Sequence, residues 1–256
     1  MFVYLRKLTG RERTDAADQH LARYLIFIAG AANAGGFLAV QQYTSHMSGI
    51  VSTMADHLAL GDMTVFLAGL GALFSFVAGA AISAILINWG RRHDLESQYA
   101  FPLVLEAGLL ICFGLLGRHL ARYQGLFVPM TVMLLCFIMG LQNAIITKLS
   151  ATRIRTTHVT GLVTDMGIEL GKLVYWNRSA STSKPPVKAD HDKLWLLVSL
   201  VFLFFAGGVM GALGFKQMGF SATLFLAALL LALAFMPVLD DLGAKLKGFS
   251  GGSGFR

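Results

Sequence analysis

Two polar segments of this chain match one another, although both lie between long apolar stretches. Residues 44–54 read TSHMSGIVSTM and residues 156–166 read TTHVTGLVTDM, so a histidine, a glycine and several hydroxyl side chains recur at equivalent positions. Each copy follows an apolar segment that contains an asparagine, Asn33 before the first and Asn143 before the second. A polar, glycine-containing element that is used twice in a hydrophobic chain indicates an internal repeat with a binding site between the copies.

Both copies carry hydroxyl or carboxyl side chains every four residues, which places these side chains on one face of a helix. They are Thr44, Ser48, Ser52 and Asp56 in the first copy and Thr156, Thr160 and Thr164 in the second. Ser and Thr at a helix start are good N-caps, so each copy is predicted to be a short helix whose N-terminus offers N–H groups and partial positive charge. Such hydroxyls can equally bond their own backbone or a neighbouring helix.

The predicted solute site combines these helix starts with the amides that precede them. Its residues are Asn33, Ser45, His46, Ser48, Gly49, Gln142, Asn143, Arg155, Thr157, His158, Thr160 and Gly161. The two glycines, Gly49 and Gly161, would permit close approach of another backbone. The histidines are proton carriers or plain hydrogen-bond donors, and Arg155 attracts an anion or simply marks the positive side of a membrane protein.

Glu106 is the acid inside an uninterrupted apolar segment, residues 103–109 (LVLEAGL). A charged carboxylate in mid-membrane costs roughly 3 kcal/mol unless it is protonated, paired or facing water. We therefore expect Glu106 to face the interior of the protein. It is predicted to be a proton-coupling group or, alternatively, a protonated side chain that bonds a neighbouring helix.

Composition places the chain among helical membrane proteins. Apolar residues make up 55% and charged residues 14%, against about 25% charged in soluble domains. Six apolar segments are long enough to cross a ~30 Å hydrocarbon layer: residues 21–40, 65–89, 99–116, 126–146, 194–214 and 218–238. The net charge of +7 comes from basic residues that flank these segments, which indicates membrane topology and not nucleic-acid binding.

The two cysteines, Cys112 and Cys136, each lie in the middle of an apolar segment. This position predicts neither a disulfide framework nor a thiolate metal site. The first 20 residues are basic but contain no apolar core followed by a small-residue cleavage site, so they do not resemble a cleaved signal peptide.

The distribution of Lys and Arg residues indicates how many times the chain crosses the membrane. Residues 47–60 and 159–170 are too short to span, because 14 helical residues reach only roughly 21 Å. With six crossings and the N-terminus inside, 18 of the 21 Lys and Arg residues fall on the inner side; eight crossings would leave 15 there. The positive-inside rule thus favours six spans with both termini cytoplasmic. Three spans per copy is an odd number, so the two copies are predicted to be inverted repeats.

The predicted fold class is therefore all-α: a polytopic membrane protein with six transmembrane helices, two short half-helices and two inverted three-span repeats. The basic N-terminus covers residues 1–20, the first repeat 21–117 and the second repeat 126–238. A cytoplasmic loop at 174–193 interrupts the second repeat, and residues 239–256 form a cytoplasmic tail.

At these motifs the chain resembles the YoaK-like family, bacterial inner-membrane proteins with a domain of unknown function. Residues 140–144 (GLQNA) and 155–161 (RTTHVTG) closely follow the second-repeat motif of that family. The first repeat departs from it, since Asn33 stands where the family usually has Asp and Ile50 where it has Asn. The resemblance implies a multi-pass protein of the bacterial inner (cytoplasmic) membrane, and implies a difference in this chain if that Asp serves coupling.

The leading functional hypothesis is a small secondary transporter or channel-like permease for a small anion or a carboxylate-bearing solute. One alternative is a non-transporting membrane scaffold or sensor, whose hydroxyl faces only hold helices together. A weaker alternative is an intramembrane enzyme on a lipid-linked substrate with His46 or His158 as base. No metal-binding or nucleophile-elbow motif supports an enzyme. The expected partners are the lipid bilayer and a solute, with no cofactor, metal or nucleic acid; a homodimer is compatible with the sequence.

Overall fold

The computed structural model describes residues 14–95, 97–120, 124–149, 159–176 and 186–251. Within these ranges the regular structure is helical. The helices are α1 (Asp15–Val40), α2 (Met47–Ala59), α3 (Met63–Arg92), α4 (Ala100–Leu120), α5 (Gln124–Leu149), α6 (Val159–Val174), α7 (His191–Met218), a 3-10 turn (Gly219–Ser221) and α8 (Ala222–Gly251).

Short polar side chains fix where several of these helices begin. The Thr14 hydroxyl accepts a hydrogen bond from the Ala17 N–H at 3.2 Å before α1, and Asp190 accepts from the Lys193 N–H at 2.9 Å before α7. Asp62 caps α3 by accepting from the Val65 and Thr64 N–H groups, and the bond from Val65 is the main cause of a lowered pKa for this carboxyl. Each cap supplies a partner for N–H groups that have none within the helix.

In the part of the chain that the structure describes, four helical stretches are long and apolar enough to cross a membrane: Asp15–Val40, Met63–Arg92, Val128–Lys148 and His191–Phe235. The last stretch runs through α7, the 3-10 turn and the first part of α8. The apolar part of α4 is shorter, at Ala100–Leu115. The all-helical membrane class that composition predicted is confirmed. Six crossings and inverted repeats stay predictions.

Helix α1 packs along α7 with backbone against backbone. A Cβ atom at Gly30 would overlap the carbonyl oxygen of Phe204, and one at Gly207 would overlap that of Phe27. The two helices run parallel, because the Arg23 Nε donates to Ser199 Oγ near their starts. Only glycine allows this separation, since any side chain would push the helices apart.

Helix α3 packs along α5 in the same way. A Cβ atom at Gly79 would overlap the carbonyl oxygen of Phe137, and one at Gly140 would overlap that of Phe76. This pair is also parallel, since Lys148 near the end of α5 donates to Asn88 Oδ1 near the end of α3, at 3.2 Å. The two helix pairs therefore share one mode of packing.

Two antiparallel contacts join the pairs. Helix α1 crosses α5 in opposite directions, with the Gln142 amide donating to Leu25 O at 3.3 Å and Gly36 lying against Leu135. Helices α4 and α8 pack on one another with Thr223 Oγ1 donating to Leu110 O at 2.9 Å. The main core cluster draws on α1, α3, α4, α5 and α8; its fully buried large side chains are Leu21, Leu25, Ile28, Ile87, Leu103, Leu110, Ile138, Met139, Ile145, Ile146 and Leu230.

The two short helices lie against the bundle at separate places. Helix α2 packs on α3 and buries Ile50 and Met54, with Met54 against Gly69. Helix α6 packs on α7 and buries Leu162 in a cluster with Ile26 and Leu200. Short helices are present at both positions where the sequence predicted them, whereas half-helices that enter the membrane stay a prediction.

A buried acid holds α6 in place. Glu169 is 1% exposed, and its Oε1 accepts from Lys172 Nζ at 2.9 Å and from Lys193 Nζ at 3.4 Å. Its Oε2 accepts from the Asp190 N–H at 3.1 Å. The Asp190 bond, followed by Lys172, lowers the pKa of Glu169 to about 2 from 4.5. This carboxylate thus joins α6 to the residues that begin α7.

Because the surroundings of the glycines differ, the same Gly→Ala substitution is predicted to change the stability of the protein differently at different positions. We expect Gly79→Ala and Gly207→Ala to destabilise the protein by roughly 1–3 kcal/mol, the usual cost of overpacking. Gly108 on α4 is exposed with no atom within 4 Å of its Cβ position, so Gly108→Ala should stabilise slightly, by up to about 1 kcal/mol. Thermal unfolding in detergent measures all three. A Gly79→Ala variant that melts like Gly108→Ala contradicts the packing.

The Glu169 contacts predict a defined dependence on pH. Because the folded pKa is depressed, the carboxylate stabilises the fold above its unfolded pKa of 4.5 and loses this effect as pH falls through about 2. The difference in melting temperature between the parent and Glu169→Gln should be present at neutral pH and should close across this range. Lys188→Gln, on an exposed lysine outside these contacts, serves as control. A difference that does not change with pH would remove the ion pairs as its cause.

Candidate functional site

The first predicted asparagine makes a specific contact with the first polar segment. Asn33 is 8% exposed, and its Oδ1 accepts from Ser45 Oγ at 2.9 Å and from the Ser45 N–H at 3.3 Å. These bonds tie the turn before α2 to the last turns of α1. Two members of the predicted site, Asn33 and Ser45, are therefore brought together.

This contact changes how α2 begins. The N-cap residue is His46, and no side chain caps the first turn of the helix. The prediction that a hydroxyl residue caps α2 is wrong, because His46 occupies the cap position and Ser45, one residue earlier, bonds Asn33 instead. The N-terminus of α2 consequently presents backbone N–H groups beside Asn33, Ser45 and an exposed His46.

The close backbone approach that was expected at Gly49 is also absent from this site. The atoms nearest to a Cβ position at Gly49 belong to the His46 ring, with Nδ1 at 2.7 Å. Gly49 thus makes room for an imidazole three residues earlier in the chain. The backbone contacts occur at Gly30, Gly79 and Gly140 on the long helices instead.

The predicted hydroxyl faces point away from the bundle. Ser48, Ser52 and Asp56 are exposed on α2, whereas Thr44 before the helix is buried. On α6 the exposed Thr164 donates its hydroxyl to the Thr160 carbonyl of its own helix at 2.8 Å. Since α2 packs on α3 and α6 on α7, the described residues do not bring the two faces together.

Five members of the predicted site belong to the second polar segment or directly precede it: Arg155, Thr157, His158, the exposed Thr160, and Gly161. Arg155, Thr157 and His158 lie outside the described residues. Gly161 lies in the first turn of α6, half-buried. The second helix start therefore stays a prediction.

The side-chain amides of Gln142 and Asn143 on α5 donate hydrogen bonds, but their buried carbonyl oxygens accept none from the described residues. Gln142 donates through Nε2 to Leu25 O, and Asn143 donates through Nδ2 to Met139 O of its own helix at 2.7 Å. Gln142 Oε1 and Asn143 Oδ1 are buried without a hydrogen-bond partner among the described residues. A buried acceptor without a hydrogen bond costs free energy, so we expect a donor to lie beside each of these two oxygens.

Glu106 lies in the same core. It is fully buried on α4, which confirms that it faces the interior, and neither carboxyl oxygen has a partner within the described part of the chain. Ser83 on α3 is fully buried too, and its hydroxyl is likewise unpartnered there. We did not predict Ser83 from the sequence; the signal was a serine four residues after Gly79 in an otherwise apolar helix.

Helix periodicity places each of these side chains on the core-facing side of its own helix. Glu106 shares a face of α4 with Leu103 and Leu110, Ser83 shares a face of α3 with Ile87, and the α5 amides lie between core residues of that helix. In the described residues, every buried side-chain polar atom without a partner is an oxygen. The Glu106, Gln142 and Asn143 oxygens among them can only accept while Glu106 is ionised, so protonation of Glu106 would supply a donor.

Three cavities lie along α1, α7 and α8, with volumes of about 440, 530 and 290 Å³. Their linings include Lys216, Arg23 and Phe225 respectively, and contain none of the predicted site residues. Among the described residues, no three His, Cys, Asp or Glu side chains are grouped as metal ligands.

Comparison with known proteins agrees with the membrane architecture. The family model described as "Protein of unknown function (DUF1275)" matches residues 21–236. The UPF0700 transmembrane protein YoaK of Bacillus subtilis (strain 168) is 26% identical over 168 residues, which cover 63% of this chain and 71% of that protein. No solved structure matches the chain. With its apolar helices and this match over most of its length, the chain is a multi-pass membrane protein that belongs to the DUF1275 family, which includes the YoaK-like proteins.

Proposed function

We propose that this protein is a small secondary transporter or channel-like permease whose two halves are inverted repeats. The proposal rests on one observation. If each helix of the first half is exchanged with its counterpart in the second half, the same pairs of helices remain in contact. Helix α1 of the first half packs on α7 of the second, and α5 of the second half packs on α3 of the first. Each pair is joined through glycines, Gly30 with Gly207 and Gly140 with Gly79.

The remaining contacts obey the same exchange. Helix α2 packs on α3 as α6 packs on α7. Helices α1 and α5 are counterparts, as are α4 and α8, so exchanging the halves leaves the α1–α5 and α4–α8 contacts unchanged. A two-fold axis relating the halves must run through such self-mapped contacts. Both are antiparallel, as an axis in the membrane plane requires. Inverted repeats of this kind are common in secondary transporters.

The helix directions support six crossings. If α1 leads outward, α7 runs parallel to it, α5 runs antiparallel to it, and α3 shares the direction of α5. Helix α4 turns back from the end of α3, where Arg91 donates to Gln98, and α8 is antiparallel to α4. The six long helices α1, α3, α4, α5, α7 and α8 therefore alternate in direction. Helices α2 and α6 then occupy opposite sides of the membrane without spanning it. This arrangement agrees with the distribution of Lys and Arg residues.

In the mechanism that we propose, the solute and the proton bind at two different places. A small anion or carboxylate-bearing solute would meet the uncapped N-terminus of α2, where the exposed His46 ring adds a hydrogen-bond donor. A proton would bind at Glu106, whose buried carboxyl oxygens have no hydrogen-bond partner among the described residues. Moving one anion together with one proton leaves the net charge of the site unchanged, which limits the cost of burial.

A non-transporting scaffold is the second candidate, and one observation favours it. The cavities along α1, α7 and α8 are not lined by Asn33, Ser45 or Glu106, and a scaffold needs no solute path to these groups. The experiments below separate the two functions, because a scaffold would bind no solute and conduct none.

The topology predicts accessibility on two sides of the membrane. In a chain without Cys112 and Cys136, single cysteines replacing Asp94 and Lys184 should be protected from an impermeant maleimide in intact cells. A cysteine replacing the exposed Asp62 should be labelled. Labelling of Asp94 and Asp62 positions on the same side, or of Lys184 on the outer side, would contradict inverted repeats.

The transport function predicts coupled responses in purified protein. A thermal-shift screen against chloride, nitrate, succinate and, as a cationic comparison, ethanolamine should identify a stabilising anion. Proteoliposomes containing a pH-sensitive dye should then acidify when that anion is driven inward. Glu106→Gln should keep the thermal shift and lose the proton flux, because an amide cannot carry the proton.

Gly108→Ala on the same helix is the matched control and should retain both responses, since its side chain position is open. If Glu106→Gln keeps the parent pH profile, Glu106 has no part in coupling. If no compound in the panel shifts the melting temperature and none is transported, the scaffold is the better description.

A further inference from the structure

We propose that a groove between α1, α7 and α8 binds an anionic phospholipid, with the headgroup at Arg23 and one acyl chain along the groove. Two of the cavities, about 530 and 290 Å³ in volume, share the lining residues Phe27 and Leu229. They therefore form one continuous groove on the side of the bundle. The groove exists because α8 packs mainly on α4 and leaves a gap beside α1 and α7.

The length and chemistry of the groove fit an acyl chain. Its α7 lining runs from Leu203 to Met218, which is roughly 22 Å of helix and exceeds one leaflet of a ~30 Å hydrocarbon core. Beyond the mouth its lining residues are Phe27, Ala31, Leu203, Met210, Gly211, Gly214, Phe215, Met218, Ala222, Phe225, Leu226 and Leu229. None of them is charged, so burying an acyl chain there is favourable at about 0.8 kcal/mol per CH₂.

The mouth of the groove is basic. It is lined by His20, Arg23 and Tyr24, with no acidic residue in the lining. Arg23 donates through Nε to Ser199 Oγ at 3.3 Å, a bond that holds the guanidinium beside the groove. The Nη atoms make no hydrogen bond to other described residues. A guanidinium with free N–H groups binds phosphate oxygens in a bidentate manner.

The mouth lies at the end of the bundle where anionic lipid is expected. The antiparallel α1–α5 contact at Leu25 and Gln142 places Lys148 near the start of α1, and Lys148 bonds Asn88 at the end of α3 next to Arg91. Basic residues thus concentrate at this end, which marks the cytoplasmic side. Anionic lipids are enriched there and are recognised by basic pockets between helices. A free phosphate has only the mouth to contact and gains nothing from the apolar part of the groove.

The test uses the purified full chain in a mild detergent with dioleoyl phosphatidylglycerol, dioleoyl phosphatidylcholine or inorganic phosphate. Phosphatidylglycerol should raise the melting temperature and stay bound in native mass spectrometry. Phosphatidylcholine carries the same phosphate but also a quaternary ammonium, whose positive charge opposes that of Arg23, so it should bind roughly ten-fold more weakly. Phosphate should have no effect. Leu229→Trp, which fills the groove, should weaken both lipids.

Arg23→Gln should abolish the preference for phosphatidylglycerol, whereas Ser199→Ala, which keeps the charge, should retain it. Arg92→Gln is the matched control, because Arg92 is an exposed arginine at the end of α3 away from the groove. If Arg23→Gln cannot be purified, Arg23→Lys serves, with a reduced preference expected from the loss of the planar fork. Equal binding of the two lipids by the parent, an unchanged preference in the Arg23 variants, or stabilisation by phosphate equal to that by phosphatidylglycerol would each overturn the proposal.

Discussion

Helices in a membrane gain little from the hydrophobic effect when they leave lipid for one another, so their association depends on close van der Waals contact and on polar contacts. In this protein, glycines on four long helices bring backbone against backbone, with Gly30 and Gly207 joining α1 to α7, and Gly79 and Gly140 joining α3 to α5. The position of every other element follows from these two helix pairs. The short helices pack on their outer members, and α4 with α8 closes the bundle.

The two sides of the bundle differ although their contacts are related by exchange of the halves. On one side, α3, α4 and α5 enclose Glu106 and Ser83 in a packed core. On the other side, the corresponding helices α7, α8 and α1 leave a groove, and Gly211 and Ala222 are among the small residues along it. Transporters with inverted repeats change access by exchanging two such unequal arrangements. The unequal packing is thus consistent with the function proposed above.

The short helices are held by polar contacts that differ between the halves. The turn before α2 is tied to α1 by the bonds from Ser45 to Asn33, a neutral contact whose strength does not depend on pH. Helix α6 is held at its other end by Glu169, which two lysines and one backbone N–H surround. The ion pairs make the attachment of α6 sensitive to acid and salt, while that of α2 is not.

The sequence by itself determined the helical membrane class, the positions of both short helices and the inward direction of Glu106. These follow from apolar length, helical periodicity and the cost of exposing a carboxyl to lipid, all of which are local properties. The tertiary structure decided which side chains are partners. Asn33 takes the Ser45 hydroxyl that was predicted to cap α2, the hydroxyl faces point outward, and close backbone contact occurs at Gly79 and not at Gly49. Periodicity gives the face of a helix but not the neighbour that covers it, because that neighbour is distant in the chain and is selected by packing.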